Sequence, residues 1–339
     1  MSYRIGIDAI NLKSSSRLAH TEYCSNQDLI DRVERETGKR FDSAWEFDFC
    51  WFSDDGPGDW FARGRATDMG HAVFLKGGTD RREPKPCPFR DAEEVLAFDA
   101  VAEYGLDDDA GLAAYYEKRH QETKKWAGDQ VVPGGYYKTL WSGAIQAFGW
   151  DMLLEAASEK ARFEKVLDSF FRLTLHHVRA WARTSIEVFN QHDDMVWTAG
   201  PFMSPDFYRA AVFPRYRELW KVLKDAGKKV VFTSDGDYTM FLGDVVAAGA
   251  DGLIFEPLTS LERAVRDHGR TTALFGSAVD ARTLTIGTRE QILAEVETTV
   301  RLGKDCPGFL CAVGNHIPSN VPVENALFYF DSLKARWNR

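Results

Sequence analysis

The chain has 339 residues, 44% of them hydrophobic and 27% charged, with a formal net charge of −9 at pH 7 and a pI near 5.5. Those values fit one large globular domain, and the acidic balance without any Lys/Arg run speaks against nucleic acid or an anionic membrane as a partner. No apolar run approaches the roughly eighteen residues of a membrane span. The opening MSYRIGIDAINLKSSS has charged or polar residues where a secretory leader needs an apolar core, so the expected location is the cytoplasm. The five cysteines form no CxxC pair, and reduced, structural thiols are expected.

In chain order, residues 1–150 read as a divergent part in which WEFDFCWF (45–52) and HAVFLKG (71–77) look like strands. FARGRATDMG (61–70) and KGGTDRREPKPCPF (76–89) are excursions rich in Gly, Pro and charge, expected to elaborate an active site. Gly134-Gly135 lacks the companions of a nucleotide-binding loop. Residues 152–185 are strongly helical and predict two helices broken near Glu159-Lys160, with His176-His177 inside the second.

From residue 185 strands and helices alternate strictly. SIEVFNQ (185–191) leads to a helix over 206–227, capped by Ser204-Pro205 and stopped by Gly227. Strand VVFT (230–233) then leads to helix 238–249, DGLIF (251–255) to helix 260–269, TTALFGSAV (271–279) to helix 288–303, and GFLCAVG (308–314) to helix 323–337. Strict alternation implies a parallel sheet covered on both faces, and about eight such units close a (β/α)8 TIM barrel. The expected architecture is a single α/β barrel domain over residues 1–339 with an elaborated N-terminal region.

Each of these strand bodies is apolar and each ends in residues that ionise or coordinate. The first runs into His192-Asp193-Asp194, the second into Asp235 and Asp237, the third ends at Glu256, the fourth at Asp280 and the fifth at Asn315-His316. A barrel gathers such ends at one mouth. Asp237 and Asp280 read equally well as helix caps, and His192 and His316 as hydrogen-bonded structural groups. Carboxylates crowded in a water-poor mouth repel one another, so one of them should bind a proton, a cation or a cationic substrate. By ligand type, Asp235, Glu256 and His316 suit zinc or another divalent metal. Met195, Met203 and Met240 read as core filler.

The ordered segments DDMVWTAGPFMSPDFYRAAVFPRYRELWKVLKDAGKKVVFTSDGD, GADGLIFEP, FGSAVDARTLTIGTREQI and AVGNHIPSNVPVENA resemble the uroporphyrinogen decarboxylase superfamily across about residues 185–335; RLAHTEY resembles the methyltransferase N-terminus. That group includes the decarboxylase and the corrinoid-linked methyltransferases that move methyl groups between methylcobalamin and thiols. The resemblance implies a barrel with its site at the strand ends. It also implies a zinc set of His-x-Cys plus a later Cys, whose matching positions here are Thr233, Asp235 and Asn315. All three differ, so Asp235 with His316 is expected to keep a site of oxygen and nitrogen ligands, suited to an acceptor other than a simple thiol. The decarboxylase's N-terminal arginine run is reduced to Arg17, and its late histidine turn carries Asn315.

The leading expectation is therefore a corrinoid-linked methyltransferase or demethylase acting on a small molecule, with the corrinoid carried by a separate protein. Glu22, Tyr23, Asp193, Asp194, Asp235, Glu256 and His316 would line the pocket, with Asp237, Asp280 and Asn315 also facing substrate. Asp235 and His316 would hold the metal or acceptor, supported by Glu256, and His192 or Asp194 would handle a proton. A metal-free lyase decarboxylating a porphyrinogen or other carboxylate is the alternative, and a non-catalytic binding protein the third. A homodimer is the base-rate expectation.

Overall fold

A computed structural model of the chain describes residues 2–70, 72 and 85–339. Its strands are short: β1 (Ala19–His20), β2 (Tyr23–Cys24), β3 (Gly134–Tyr136), β4 (Val188–His192), β5 (Lys229–Ser234), β6 (Gly252–Phe255), β7 (Ala273–Gly276), β8 (Phe309–Cys311) and β9 (His316–Ile317). Seven of them form one parallel sheet in the order β1-β8-β7-β6-β5-β4-β3, and β2 pairs with β9 in a separate two-stranded ladder. The five strands expected after residue 185 correspond to β4 through β8, each followed by a helix.

The expected strand over 45–52 forms only an isolated parallel bridge, Phe49 to Val131. Its hydrogen bonds nevertheless reach both edges of the sheet. The Asp48 N–H donates to the His20 carbonyl (2.8 Å), the Cys50 N–H to the Val131 carbonyl (2.9 Å), and the Val131 N–H to the Asp48 carbonyl (3.0 Å). This segment thus spans the gap between β1 and β3, which makes eight parallel passes in a TIM-type α/β arrangement. The other expected early strand, residues 71–77, lies outside the described residues apart from Ala72, and most of the excursion 76–89 does too.

The interior follows from strand alternation, because every second side chain points inward. Ala19, Phe49, Val131, Val188, Val231, Ile254, Phe275 and Leu310, one from each pass, pack into one buried apolar cluster, and Ile7, Ala9 and Ile10 of the helix Ser2–Ile10 join it. That helix plugs the end of the barrel opposite the mouth. Above this layer sit Asn190 and Thr233, whose hydroxyl donates to the Asn190 side-chain Oδ1 at 2.7 Å. Arg17 grips Asp48 through two nitrogens (2.6 and 2.8 Å) at the closing edge, with its guanidinium over Trp337.

The helical outer layer conforms to local chemistry. The break at Glu159 separates Trp150–Ala157 from Lys160–Ala182, where His177 is buried against Tyr116 and Tyr136. Gly227 takes φ +76 after the helix Phe213–Asp225, the left-handed conformation a glycine stop supplies. The helix expected over 206–227 is not uniform: Pro205–Phe207 runs into a π-helical turn, Tyr208–Val212, before Phe213–Asp225. Pro214 lacks an N–H and its ring crowds the carbonyl one turn back, so the chain widens there. The helices not foreseen include Ser2–Ile10, Gln27–Thr37, Asp109–Ala127, which buries only a sparse stripe, Leu140–Phe148, and Ala281–Ile286, capped by Asp280. The five cysteines are free, and among the described residues no helix is long and apolar enough to cross a membrane.

Candidate active site

The inward alternation that places Val188 in the barrel floor and Asn190 above it places His192 at the mouth. The same count on β5 runs Val231, Thr233, Asp235, and on β6 it runs Ile254, Glu256. His192 and Thr233 are register partners on adjacent strands, which brings Asp235 beside the end of β4. One ligand atom each from His192, Asp194 and Asp235 lies within 4.8 Å of the others.

Asp194 is the hub. His192 Nε2 lies 3.0 Å from its Oδ1, the Tyr137 hydroxyl donates to its Oδ2 at 2.7 Å, and the Asp235 N–H donates to Oδ1 at 3.3 Å. Its own N–H donates to Ser142 Oγ at 2.8 Å, and the Tyr137 ring lies over His192 with centroids 4.1 Å apart. Sequence reasoning missed Tyr137. It follows β3, which neighbours β4, so the strand-end rule that found His192 would have found it had β3 been recognised.

The electrostatics divide the two carboxylates. Burial works against the Asp194 charge, but His192, through charge and hydrogen bond, and then the Tyr137 hydroxyl hold its pKa below the usual carboxylate range. Asp235 is pushed well above that range by burial first and then by the charges of Asp194 and Glu256. Burial alone would lower the His192 pKa; Asp194, with help from Asp235 and Asp193, raises it to about 9 instead. The mouth thus contains one anchored anion and one carboxylate that calls for a positive partner.

Asp235 borders two cavities. One, about 700 Å³, is lined by Tyr23, Tyr137, His192, Thr233, Asn315 and His316 among others. The other, about 320 Å³, is lined by Met69, Trp150, Trp197, Asp194 and Glu256. Glu256 accepts from the Gly236 N–H at 2.7 Å and from the Asn315 side-chain amide. The loops fit tightly: a Cβ on Gly314 (φ +84) would lie 2.1 Å from the Phe255 carbonyl oxygen.

The metal set expected from ligand type, Asp235, Glu256 and His316, is not the set that clusters. Among the described residues the cluster is His192, Asp194 and Asp235. His316 is turned to β2, stacked on Tyr23 with centroids 4.6 Å apart and with Nε2 2.5 Å from Ser25 Oγ; burial lowers its pKa to about 4. Four other expected site residues serve structure. Glu22 accepts from the Tyr329 hydroxyl and, at 2.9 Å, from the Val313 N–H, and it lines an outer cavity rather than either mouth cavity. Asp193 is fully buried and accepts from the Ser142 N–H (2.7 Å) and the Tyr216 hydroxyl (2.5 Å), with burial raising its pKa to about 6. Asp237 accepts from the Thr239 N–H within the turn ahead of the short helix Thr239–Phe241, whose N-cap is Tyr238, while Asp280 caps the helix Ala281–Ile286 and pairs with Arg282, so Asp280 alone follows the capping alternative.

Residues 146–336, more than half of the chain, match the family model for uroporphyrinogen decarboxylase (URO-D). This chain belongs to the uroporphyrinogen decarboxylase family. Within it, a uroporphyrinogen decarboxylase of Syntrophotalea carbinolica is 29% identical over 172 residues, which is 50% of this chain and 48% of that protein; the chain thus matches about half the length of this curated relative. Among solved structures, a methyltransferase from Methanosarcina mazei superposes with a TM-score of 0.69 over 98% of both chains at 16% identity, a likeness of fold. Family membership gives the chain an enzyme's fold with its strand ends gathered at one mouth.

Proposed function

We propose that this family member is a methyltransferase or demethylase of the corrinoid-linked type, acting on a small molecule in the barrel mouth with a divalent metal held by His192, Asp194 and Asp235. The observation that carries the reading is the convergence of one nitrogen and two carboxylate donors within 4.8 Å at the ends of neighbouring strands. Two ligands of one tetrahedral zinc ion stand about 3.4 Å apart, so the set must close by up to about 1.5 Å around an ion. Asp235 supports the fit, because burial and two neighbouring anions leave it in need of a positive charge.

A metal bound there supplies Lewis acidity toward a lone pair on the substrate or acceptor. The remaining work falls to this chain's side chains. Tyr137 and His192 orient Asp194; Thr233, at a position the thiol-using relatives give to a ligand, instead donates to Asn190. The donor set is oxygen-rich, which suits an oxygen or nitrogen substrate better than a thiol. Asn315 fixes Glu256, whose charge faces the smaller cavity. In this reading the corrinoid is carried by a separate protein.

A metal-free carboxy-lyase is the second reading. It is favoured by one observation: without a metal, His192 and Asp235 both retain protons into the neutral range and form a proton store beside the larger cavity. Arg17, the sole remnant of a carboxylate clamp, is bound to Asp48 away from the mouth and counts against a porphyrinogen.

The two readings separate in one assay. Protein loaded with zinc and protein stripped by chelator are each mixed with free cob(I)alamin and a panel of methoxy, methylthio and methylamino compounds, and methylation of the corrinoid is followed by absorbance. The proposal expects metal-dependent methylation that Asp235→Ala abolishes. Carbon dioxide release from a carboxylated substrate by metal-free protein, with no corrinoid methylation, overturns it in favour of the lyase.

A further inference from the structure

The smaller of the two mouth cavities has a composition that the metal cluster does not explain. Its volume is about 320 Å³, and it is lined by Trp150, Trp197 and Met69, by apolar Ile145 and Val196, and by the carboxylates Asp194, Asp235 and Glu256. Among the described residues no lysine or arginine lines it. The two indole rings stand 5.6 Å apart by centroid at an interplanar angle of 55°, so they form two walls of a corner rather than a flat stack. Trp197 is 42% exposed, so this wall of the corner is open to solvent.

Net charge in this cavity stays negative with or without a metal. A divalent ion on His192, Asp194 and Asp235 is neutralised by the two carboxylates, and Glu256 remains. Without the ion, Asp194 and Glu256 still outweigh the single charge of a protonated His192 when Asp235 holds a proton. Glu256 makes no ion pair among the described residues, and its oxygens already accept from the Gly236 N–H and the Asn315 amide. Each oxygen keeps a lone pair, so Glu256 offers charge together with some remaining acceptor capacity. A primary ammonium can bond to the carboxylates but turns its remaining N–H donors against the indoles, Ile145 and Val196, where nothing accepts them. An ammonium whose hydrogens are replaced by methyl groups needs no acceptor, spreads its charge over an apolar surface, and is attracted to indole faces.

We propose that the Trp150–Trp197 cavity is a subsite for a small quaternary or trimethylated ammonium group, adjoining the metal cluster through Asp235. This rests on the reading of the barrel mouth as the active site and names the class of group held beside it: a quaternary or trimethylated ammonium, which has no lone pair for a metal and is held by the indoles and the carboxylate charge.

The test is equilibrium binding to the full-length chain, followed by intrinsic tryptophan fluorescence and calorimetry, with choline and its neutral isostere 3,3-dimethylbutan-1-ol as probes. Metal content is measured on the same samples. The expected result is saturable binding of choline, roughly ten-fold or more tighter than that of the isostere. Trp197→Leu, which keeps bulk but removes the π face on an exposed side chain, should weaken choline by a similar factor, Trp197→Phe should recover part of it, and Glu256→Gln should narrow the gap between the two probes. Equal binding of the probes, no saturable binding of choline, or choline binding unchanged in Trp197→Leu overturns the proposal. Choline binding without bound metal leaves the subsite standing and removes the metal reading; bound metal without choline binding does the reverse.

Discussion

The Tyr137 hydroxyl donates a hydrogen bond to Asp194 Oδ2 at 2.7 Å, while the same ring lies over His192. Tyr137 therefore touches two of the three residues in the cluster without offering a ligand atom in its neutral form. A partner of this kind fixes the carboxylate's direction and favours its charge. Tyr137→Phe should keep the fold and the ring contact with His192 but weaken metal affinity by about 10–100-fold. A competition titration against a metallochromic chelator reads this directly, and unchanged affinity would remove Tyr137 from the account.

Asp193 stands next to Asp194 in sequence yet does different work. Its carboxylate satisfies the Ser142 N–H and the Tyr216 hydroxyl in a fully buried place. Asp193→Ala leaves both donors without that acceptor, and should cost about 3 kcal/mol in urea unfolding. Asp193→Asn, which keeps one acceptor oxygen, should cost less. A neutral effect of Asp193→Ala would contradict the structural role.

Gly314 precedes Asn315 at φ +84, with the Phe255 carbonyl oxygen 2.1 Å from where a Cβ would stand. Gly314→Ala must push the loop away from β6. The expected outcome is a loss of about 2–4 kcal/mol in stability together with a displaced Asn315 and a loosened Glu256. Thermal unfolding and binding of choline to the smaller cavity check the two halves separately.

His177 offers a pH test away from the mouth. Burial above all, followed by the neighbouring His176, lowers its pKa to about 3 in the folded chain. The unfolded chain, with a pKa near 6.5, then binds more protons than the folded one between about pH 6.5 and pH 3. This group's contribution to stability is complete above pH 6.5 and falls as pH drops, by about 1.4 kcal/mol per pH unit. His177→Gln should flatten the stability profile by that slope across pH 6.5 to 5. Identical profiles would contradict the buried neutral histidine.

How much of this was legible in the sequence depends on which strand is considered. From β4 to β8 each strand is an apolar run that leads on to a helix, and the polar residue at its end announces the mouth; His192, Asp235 and Glu256 were found that way. Grouping them by ligand type failed because it ignored the order of strands around the sheet. Adjacent strands lie about 4.8 Å apart, so the ends of β4 and β5 can share an ion. His316 lies beyond β8, where pairing with Tyr23 on β2 sets its direction. The early passes were hard to read for a different reason: β1 has two residues and the Phe49 pass is a single bridge, too short for any alternation to show. Glu22 sits just after β1, where a strand-end reading assigns it to the mouth, but its partners are Tyr329 and Val313.

The central claim is that His192, Asp194 and Asp235 hold one metal ion. Elemental analysis of protein purified without chelators, beside Asp235→Ala and Asp194→Ala variants shown to be folded by circular dichroism, tests it most directly. The account predicts one equivalent of zinc or another divalent transition metal per chain, lost in both variants. A wild-type chain without metal, or metal retained in both variants, would contradict it.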